Sequence, residues 1–278
     1  MTPWLLGFFG FTLIPMLISL YYSFTDFDLL TPESWVGASN FVKMMADKKF
    51  LASLGVTFRF VFVGVPLQLA FALLLAVLFK RERRGIRLYR AAYYLPSLFG
   101  SSIAVAILWR RIFNKTGLIN QILALFGVQG QNWIASPGTA LNTLIALQVW
   151  QFGASMVIFL ASLKQIPTDY YEAATLDGAG KIRQFFSITL PLLTPMVFFN
   201  IVMQFISAFQ SFTPAYIVSG GTGGPLNSTL FYSLYLYIKG FGEFQMGYAC
   251  AMAWVLLMII AAFTGLIFAT SKKWVYYD

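Results

Sequence analysis

Six long apolar runs constrain this chain more than any other feature of its sequence. Each is close to or above the roughly 20 residues that a helix needs to cross about 30 Å of hydrocarbon, and none carries a dense charge cluster in its middle. The first run begins almost at Met1 without a charged leader, so we interpret it as a true span rather than a signal peptide, with a missing cytoplasmic tail left open. The predicted spans are Trp4–Phe24, Leu51–Phe79, Leu95–Phe113, Ala140–Leu163, Leu190–Phe212 and Met246–Thr270.

Composition excludes several other classes of protein. With 59% hydrophobic and 10% charged residues, the 278-residue chain is too apolar for a water-soluble globular domain. It has no histidine and one cysteine, Cys250, which removes disulfide frameworks, Cys/His metal sites and His-dependent catalysis. The sequence therefore predicts an all-α integral membrane protein whose chemistry is supplied elsewhere.

The distribution of Lys and Arg predicts the orientation, because short basic loops stay in the cytoplasm. Eleven of these residues lie between spans two and three, between spans four and five, and after span six, whereas seven lie in the other three connections. Six of the eleven fall within Lys80–Arg90. Both termini are therefore predicted to be cytoplasmic. The Lys80–Arg90 stretch could instead bind nucleic acid or anionic lipid, but topology explains it without a nucleic-acid partner.

The connections are short, and neither an internal repeat nor a low-complexity tract separates parts of the chain. Aromatic residues such as Trp133 stand at the predicted outer ends of spans, where amphipathic rings favour the membrane–water interface. We therefore predict one transmembrane domain over residues 1–278, with a notable cytoplasmic loop at 164–190.

That loop, between spans four and five, has the local pattern of two short helices and a hinge. Pro167 ends span four, Asp169 is a predicted N-cap, and Glu172 three residues later fits a capping box. Gly178 and Gly180 supply the left-handed or tight backbone that stops the first helix. Without further information, an amphipathic helix on the membrane surface explains this pattern equally well.

A second short helix is expected from Lys181 to Thr189, leading into span five. Pro191 is tolerated there, because the first turn of a helix does not need its N–H.

The residues of the loop carry a motif. Glu172, Ala173 and Ala174 are followed by Asp177, Gly178 and Ala179, then by Ile188, Leu190, Pro191 and Pro195. This series resembles the EAA loop of binding-protein-dependent ABC importer permeases. Further residues resemble the carbohydrate-importer branch, of the maltose-transporter large-subunit type: Gly223-Gly224-Pro225, Ser228-Thr229, Tyr235 to Phe241, and Gly247-Tyr248-Ala249. Two departures are the extra Ser219–Thr222 before the glycine–proline element and the absence of a large periplasmic insertion.

The resemblance implies a six-helix type I ABC importer permease fold in the bacterial inner membrane. It further implies a second homologous permease, two ATPase subunits, and an extracytoplasmic solute-binding protein that delivers a saccharide. The segment Glu172 to Ala179 would be the coupling helix that docks on an ATPase. Since this chain has no phosphate-binding loop motif, ATP and magnesium are expected on the partner ATPases and no cofactor is expected here.

Polar side chains within the spans are candidates for the substrate path, because they are costly in hydrocarbon and face a cavity or another helix. In span five, Asn200, Gln204, Ser207 and Ser211 fall within about 60° of one helix face at 100° per residue. Span four adds Gln148, Trp150 and Gln151, and span two adds Gln68. Amides and hydroxyls beside aromatic rings suit a saccharide. Hydrogen bonding between helices uses the same residue types and remains the alternative.

Three function classes follow for comparison. The first is the permease subunit of an ATP-driven importer of a sugar or oligosaccharide, with an acidic, uronate-type oligosaccharide or a non-sugar solute as variants. The second is an ATP-independent six-span channel. The third, a membrane-embedded enzyme, lacks support, because no histidine and no carboxylate pair within a span is available.

Overall fold

The structure is a computed structural model that describes residues 2–80, 84–100 and 102–276, without the side chain of Arg87. Part of the basic stretch on which the predicted orientation relies, at 81–83, therefore lies outside the described residues. The helices are α1 Thr2–Tyr22, α2 Ser39–Ala46, α3 Lys48–Phe79, α4 Ile86–Phe99, α5 Ile103–Ile112, α6 Leu118–Leu125, α7 Pro137–Trp150, α8 Gly153–Gln165, α9 Thr168–Leu176, α10 Lys181–Phe209, α11 Thr213–Ser219, α12 Tyr232–Tyr237 and α13 Met246–Ser271.

Five of the predicted spans are helical segments long and apolar enough to cross a membrane. They are α1, α3, the α7–α8 pair as Pro137–Gln165, α10 and α13. Their bounds differ from the apolar runs by a few residues at most ends, because polar residues such as Lys48 and Lys49 extend a helix beyond its apolar part.

Span three is the exception, and its prediction as a straight helix is wrong. The helical segments Leu88–Phe99 and Ile103–Ile112 meet at an angle of 102°. Pro96 lies inside α4, Gly100 ends it, and the Ser102 hydroxyl caps α5 by accepting from the N–H of Val105 at 3.3 Å. Counted as one span, this bent pair brings the described part of the chain from five spans to six.

Span four is also interrupted, at Gln151 and Phe152 between α7 and α8. Here no proline breaks the helix. Directly after the break, Gly153 lies so close to α4 that a Cβ would stand 2.5 Å from Ser97 Oγ and 2.8 Å from the Tyr93 carbonyl oxygen. The absence of a side chain therefore lets the second half of span four pack closely against the first half of span three.

Span five begins earlier than predicted. The segment expected as a second short helix, Lys181 to Thr189, is helical, but it is continuous with span five, so that α10 runs from Lys181 to Phe209. A π-helical turn at Phe185–Thr189 precedes Pro191, and a similar turn at Phe9–Leu13 precedes Pro15 of α1. In a π turn the backbone hydrogen bonds join residues five apart in place of four. The hydrogen bonds near the proline, which has no N–H, are thereby rearranged, and the helix continues.

The core is built around α3, which packs against α7, α8, α10 and α12. Its inner face includes Val61, Val65, Ala72 and Ala76, all fully buried. By contrast, α1 has no buried residue, and most of its large apolar side chains are exposed. Such uncovered apolar helices are the usual surface of a protein embedded in lipid.

One end of the bundle is held by a polar cluster around Asp47. The Asp47 carboxylate caps α3 by accepting from the N–H groups of Lys49 and Phe50 at 2.9 and 3.3 Å. Its second oxygen accepts from the Tyr235 and Tyr248 hydroxyls at 2.5 and 2.9 Å. A single carboxylate thus joins α3, α12 and α13.

Candidate translocation cavity and coupling loop

A cavity of about 290 Å³ lies between α3, α7 and the junction of α10 with α11. Its apolar walls include Phe60 and Phe212. All its polar lining side chains are uncharged amides or hydroxyls: Gln68, Gln148, Gln151, Gln204, Ser207, Gln210, Ser211 and Thr213. The cavity therefore offers hydrogen-bond donors and acceptors next to aromatic rings, without a fixed charge among its described lining residues.

Three of the glutamines are linked to one another. The Gln148 side chain donates to Gln68 Oε1 at 3.4 Å, and Gln68 donates to the backbone carbonyl of Gln151 at 3.2 Å. Gln151 in turn donates to the Gly100 carbonyl at 2.6 Å. The chain of amides thus connects span two, the break in span four and the break in span three.

Gln148 Oε1 is a buried oxygen that has no hydrogen-bond partner within the described residues. It packs against Gly64 of α3, where a Cβ would lie 2.1 Å away. Any other residue at position 64 would displace the amide, so Gly64 sets how far Gln148 enters the interface between α3 and α7.

On α10, the predicted polar stripe divides into two parts. Gln204, Ser207 and Ser211 line the cavity, and Gln204 also donates to Ser155 Oγ at 3.3 Å. The structure places Asn200 elsewhere: it is buried and its amide donates to the Met196 carbonyl, one turn earlier in the same helix, at 2.9 Å.

The two candidates in span four divide in the same way. Gln151 lines the cavity, whereas Trp150 is absent from its lining and packs against Trp109, with ring centroids 5.8 Å apart. The Trp109 indole donates to the Thr143 carbonyl at 2.8 Å. Trp150 is therefore part of the contact between α5 and α7.

Sequence reasoning missed the cavity residues at the end of α10. Gln210 and Thr213 flank a break between α10 and α11, and Phe212 has the non-helical φ of −126°. Pro214, in the first turn of α11, is the signal that could have located this break inside the predicted span.

In the loop between spans four and five, α9 ends where the sequence predicts. Gly178 has a φ of +76°, and the N–H of Ala179 returns to the Ala174 carbonyl at 2.8 Å. Gly180 has an ordinary φ of −68°. The predicted capping box is wrong, because Pro167 precedes the first helical residue and Asp169 makes no capping hydrogen bond.

The motif side chains point mostly to solvent. Glu172, Ala173, Asp177 and Gly178 are exposed, whereas Ala174 and Ala179 are partly covered. These residues therefore lie on the surface of the chain and not in its core.

The glycine-rich loop before α12 is compact. Gly220, Gly221, Gly223 and Gly224 all have positive φ, as do Leu226 and Asn227. The Thr229 N–H closes the loop on the Gly223 carbonyl at 2.9 Å. A cleft of about 400 Å³ separates this loop from Arg110, Asn114 and Asn132.

The sequence of this chain is similar to a known family of membrane transport proteins. Residues 36–275 match the family described as the inner membrane component of binding-protein-dependent transport systems. The probable ABC transporter permease protein YesP of Bacillus subtilis is 54% identical, with 100% of this chain and 90% of that protein covered. The lactose transport system permease LacF of Rhizobium radiobacter is 32% identical over 95% and 89%. The sn-glycerol-3-phosphate permease UgpA of Yersinia enterocolitica is 33% identical over 96% and 91%.

A solved structure has the same fold. A chain of a bacterial ABC transporter involved in the import of the acidic polysaccharide alginate aligns with a TM-score of 0.80 at 20% identity, covering 98% of this chain and 93% of that one.

Proposed function

The chain belongs to the inner membrane components of binding-protein-dependent transport systems, and from this premise we propose that it forms half of the path by which a saccharide enters the cell. Members of this family are permease subunits of ABC importers and are not themselves catalytic. The saccharide substrate, the partner subunits and the orientation in the membrane are proposals.

The lining of the 290 Å³ cavity is the observation that carries the saccharide proposal. Amides and hydroxyls can both donate to and accept from sugar hydroxyls, and Phe60 and Phe212 offer apolar faces to the C–H side of a sugar ring. Relatives named for lactose transport and for alginate import are consistent with such a solute.

We propose that the importer contains a second homologous permease, two ATPase subunits and an extracytoplasmic binding protein. The exposed surface of Glu172, Ala173, Asp177 and Gly178 would bind an ATPase, which would hold the ATP and magnesium. The solved alginate importer in complex with a saccharide-bound periplasmic protein supports the binding-protein partner. Both termini would lie in the cytoplasm, following the bias of basic residues.

An acidic saccharide is the second candidate. The cleft between Arg110 and the glycine-rich loop supports it. Within the described part of the chain the Arg110 guanidinium makes one long hydrogen bond, to the Ile217 carbonyl at 3.5 Å, which leaves further N–H groups for a carboxylate. Among the described residues no cation lines the cavity, so the acidic group would be bound on the predicted outer side.

The experiment is ATP hydrolysis by the reconstituted complex, with the permeases, the ATPases and the binding protein loaded with neutral or uronate oligosaccharides. Stimulation by a neutral sugar supports the main proposal, and stimulation by uronates alone supports the second. Solute flux without ATP would instead indicate a channel.

A further inference from the structure

Tyr171 connects the surface of α9 to two spans of the bundle. Its ring is half-buried and packs against the hydrophobic core, although both sequence neighbours, Tyr170 and Glu172, are exposed. It is therefore the side chain of the Tyr170–Glu172 segment that faces the bundle.

The first contact is with the end of span two. Lys80 directly follows α3, and its Nζ lies 4.3 Å from the centroid of the Tyr171 ring. A cation at this distance over a ring is attracted by the negative face of the aromatic system. The position of Lys80 is fixed by contacts of the preceding residue. The Phe79 ring packs on Tyr93, and the Phe79 carbonyl accepts a hydrogen bond from Arg90 of α4.

The second contact is with the start of span five. The Tyr171 hydroxyl and Thr189 Oγ1 share a hydrogen bond of 2.9 Å, and Thr189 is buried at the π-helical turn of α10. Since α10 carries Gln204, Ser207 and Ser211 further along, one continuous helix joins this contact to the cavity.

The loop around Tyr171 is also closed internally. The Gln184 amide donates to Thr175 Oγ1 at 2.9 Å and to the Ala179 carbonyl at 3.0 Å, and it lies 3.5 Å from the Tyr171 carbonyl. These bonds hold α9 against the first turn of α10. The side chain of Gln184 therefore holds the loop together, and the Tyr171 ring contacts Lys80 at the end of span two.

We infer that Tyr171 is a positioning residue, which transmits the position of the ATPase-binding surface on α9 to the cytoplasmic ends of spans two and five through Lys80 and Thr189. The inference rests on the proposed function, because it assumes that α9 binds an ATPase. Displacement of Glu172–Ala179 would then move α3 and α10 together.

The first test uses the permease alone, in nanodiscs, and measures amide hydrogen exchange in α9. Loss of a cation–π contact and a hydrogen bond in Tyr171→Ala should raise exchange in α9 about tenfold or more. Tyr171→Phe, which keeps the ring for Lys80, should give a smaller rise. Tyr170→Ala is the matched control and should leave the profile unchanged. Equal profiles for Tyr171→Ala and the control would overturn the inference.

The second test uses the full transporter. In Tyr171→Ala and Lys80→Gln complexes of normal subunit stoichiometry, stimulation of ATP hydrolysis by the loaded binding protein should fall several-fold, and Lys80→Arg should restore it because the cation over the ring returns. Normal stimulation in both variants would overturn the inference. A wild-type complex without ATPase stimulation would count against the proposed function instead, and the exchange experiment would still decide whether Tyr171 fixes α9.

Discussion

The side-chain amide of Gln151 donates a 2.6 Å hydrogen bond to the backbone carbonyl of Gly100, so that the breaks in two membrane helices are joined to each other. A carbonyl freed from its helix needs such a partner in a membrane, where water is scarce. Gln151 also lines the cavity, and its own carbonyl accepts from Gln68.

Gln151→Met should therefore destabilise the protein and reduce transport together. The Gly100 carbonyl would lose its partner, at a cost of about 1–3 kcal/mol for an unsatisfied buried group. Thermal unfolding in detergent measures the change. Gln121→Met is the control, since Gln121 is exposed and bonds to the nearby Thr116 carbonyl. Equal melting temperatures for the two variants would contradict the prediction.

The polar face of α10 allows the path to be separated from helix packing. Gln204→Leu combined with Ser211→Leu should leave assembly intact and lower saccharide transport about tenfold, because each lost sugar hydrogen bond weakens binding. Asn200→Leu, in the same helix but outside the cavity lining, should transport normally if it assembles. Normal transport by the double Leu variant, together with loss of transport in Asn200→Leu, would show that the polar side chains serve helix packing.

Gly178 and Gly180 form a matched pair for the coupling surface. A Cβ at either position meets no atom within 4 Å, so only the backbone distinguishes them. Gly178→Ala should cost about 1 kcal/mol at its positive φ and weaken retention of the ATPase, whereas Gly180→Ala should not. Gly178→Pro should be more severe, because Pro cannot adopt this φ, and Glu172→Ala less so. Co-purification of subunits measures retention, and equal retention by both alanine variants would contradict the prediction.

The predicted orientation can be checked by cysteine labelling of intact cells. In a Cys250→Ala background, Arg84→Cys should resist a membrane-impermeant thiol reagent, and Leu226→Cys, at an exposed position of the glycine-rich loop, should react. Reaction at residue 84 from outside would invert the assignment of both termini.

Asp47 predicts a dependence of stability on pH. Burial alone would raise the pKa of Asp47, but hydrogen bonds from Tyr235, Tyr248 and two backbone N–H groups hold it below the ordinary value of 3.8. The lowered pKa contributes stability above pH 3.8 that is lost as pH falls through the folded-state value.

Thermal unfolding between pH 7 and pH 3 measures this contribution. Asp47→Asn keeps an N-cap but removes the charge, so it should cost about 1 kcal/mol at pH 7 and flatten the acid dependence. Asp47→Ala also removes the cap and should cost more. A wild-type profile as flat as that of Asp47→Asn would contradict the assignment.

Much of the fold could be predicted from the sequence, because apolar length is a local property that directly reports a span. The 102° bend in span three could not be obtained from hydropathy, because hydropathy reports how apolar a segment is and not the direction of its helix axis. Pro96 and Gly100 were visible, but a proline also occurs inside α3 at Pro66, where the helix continues. Tertiary contacts decide between these outcomes.

The candidate site was predictable in outline for a similar reason. Helical periodicity places Asn200 on the same face as Gln204, but it cannot report that the Asn200 amide bonds to its own helix. Trp150 is adjacent to Gln151, and only the packing of α5 shows that its ring meets Trp109. The left-handed turn at Gly178 was predictable because the residue type itself favours that backbone.

The absence of fixed charge from the described cavity lining has an electrical consequence. A charged group that moved across the membrane would couple transport to voltage by about 2.3 kcal/mol per elementary charge per 100 mV. Amides and hydroxyls carry no such charge, so a neutral solute passing Gln151 and Gln204 would exchange no energy with the membrane potential in this half of the path. The resting voltage then gives no direction to the movement of that solute, which is set by its concentrations on the two sides and by the side of the membrane to which the cavity opens.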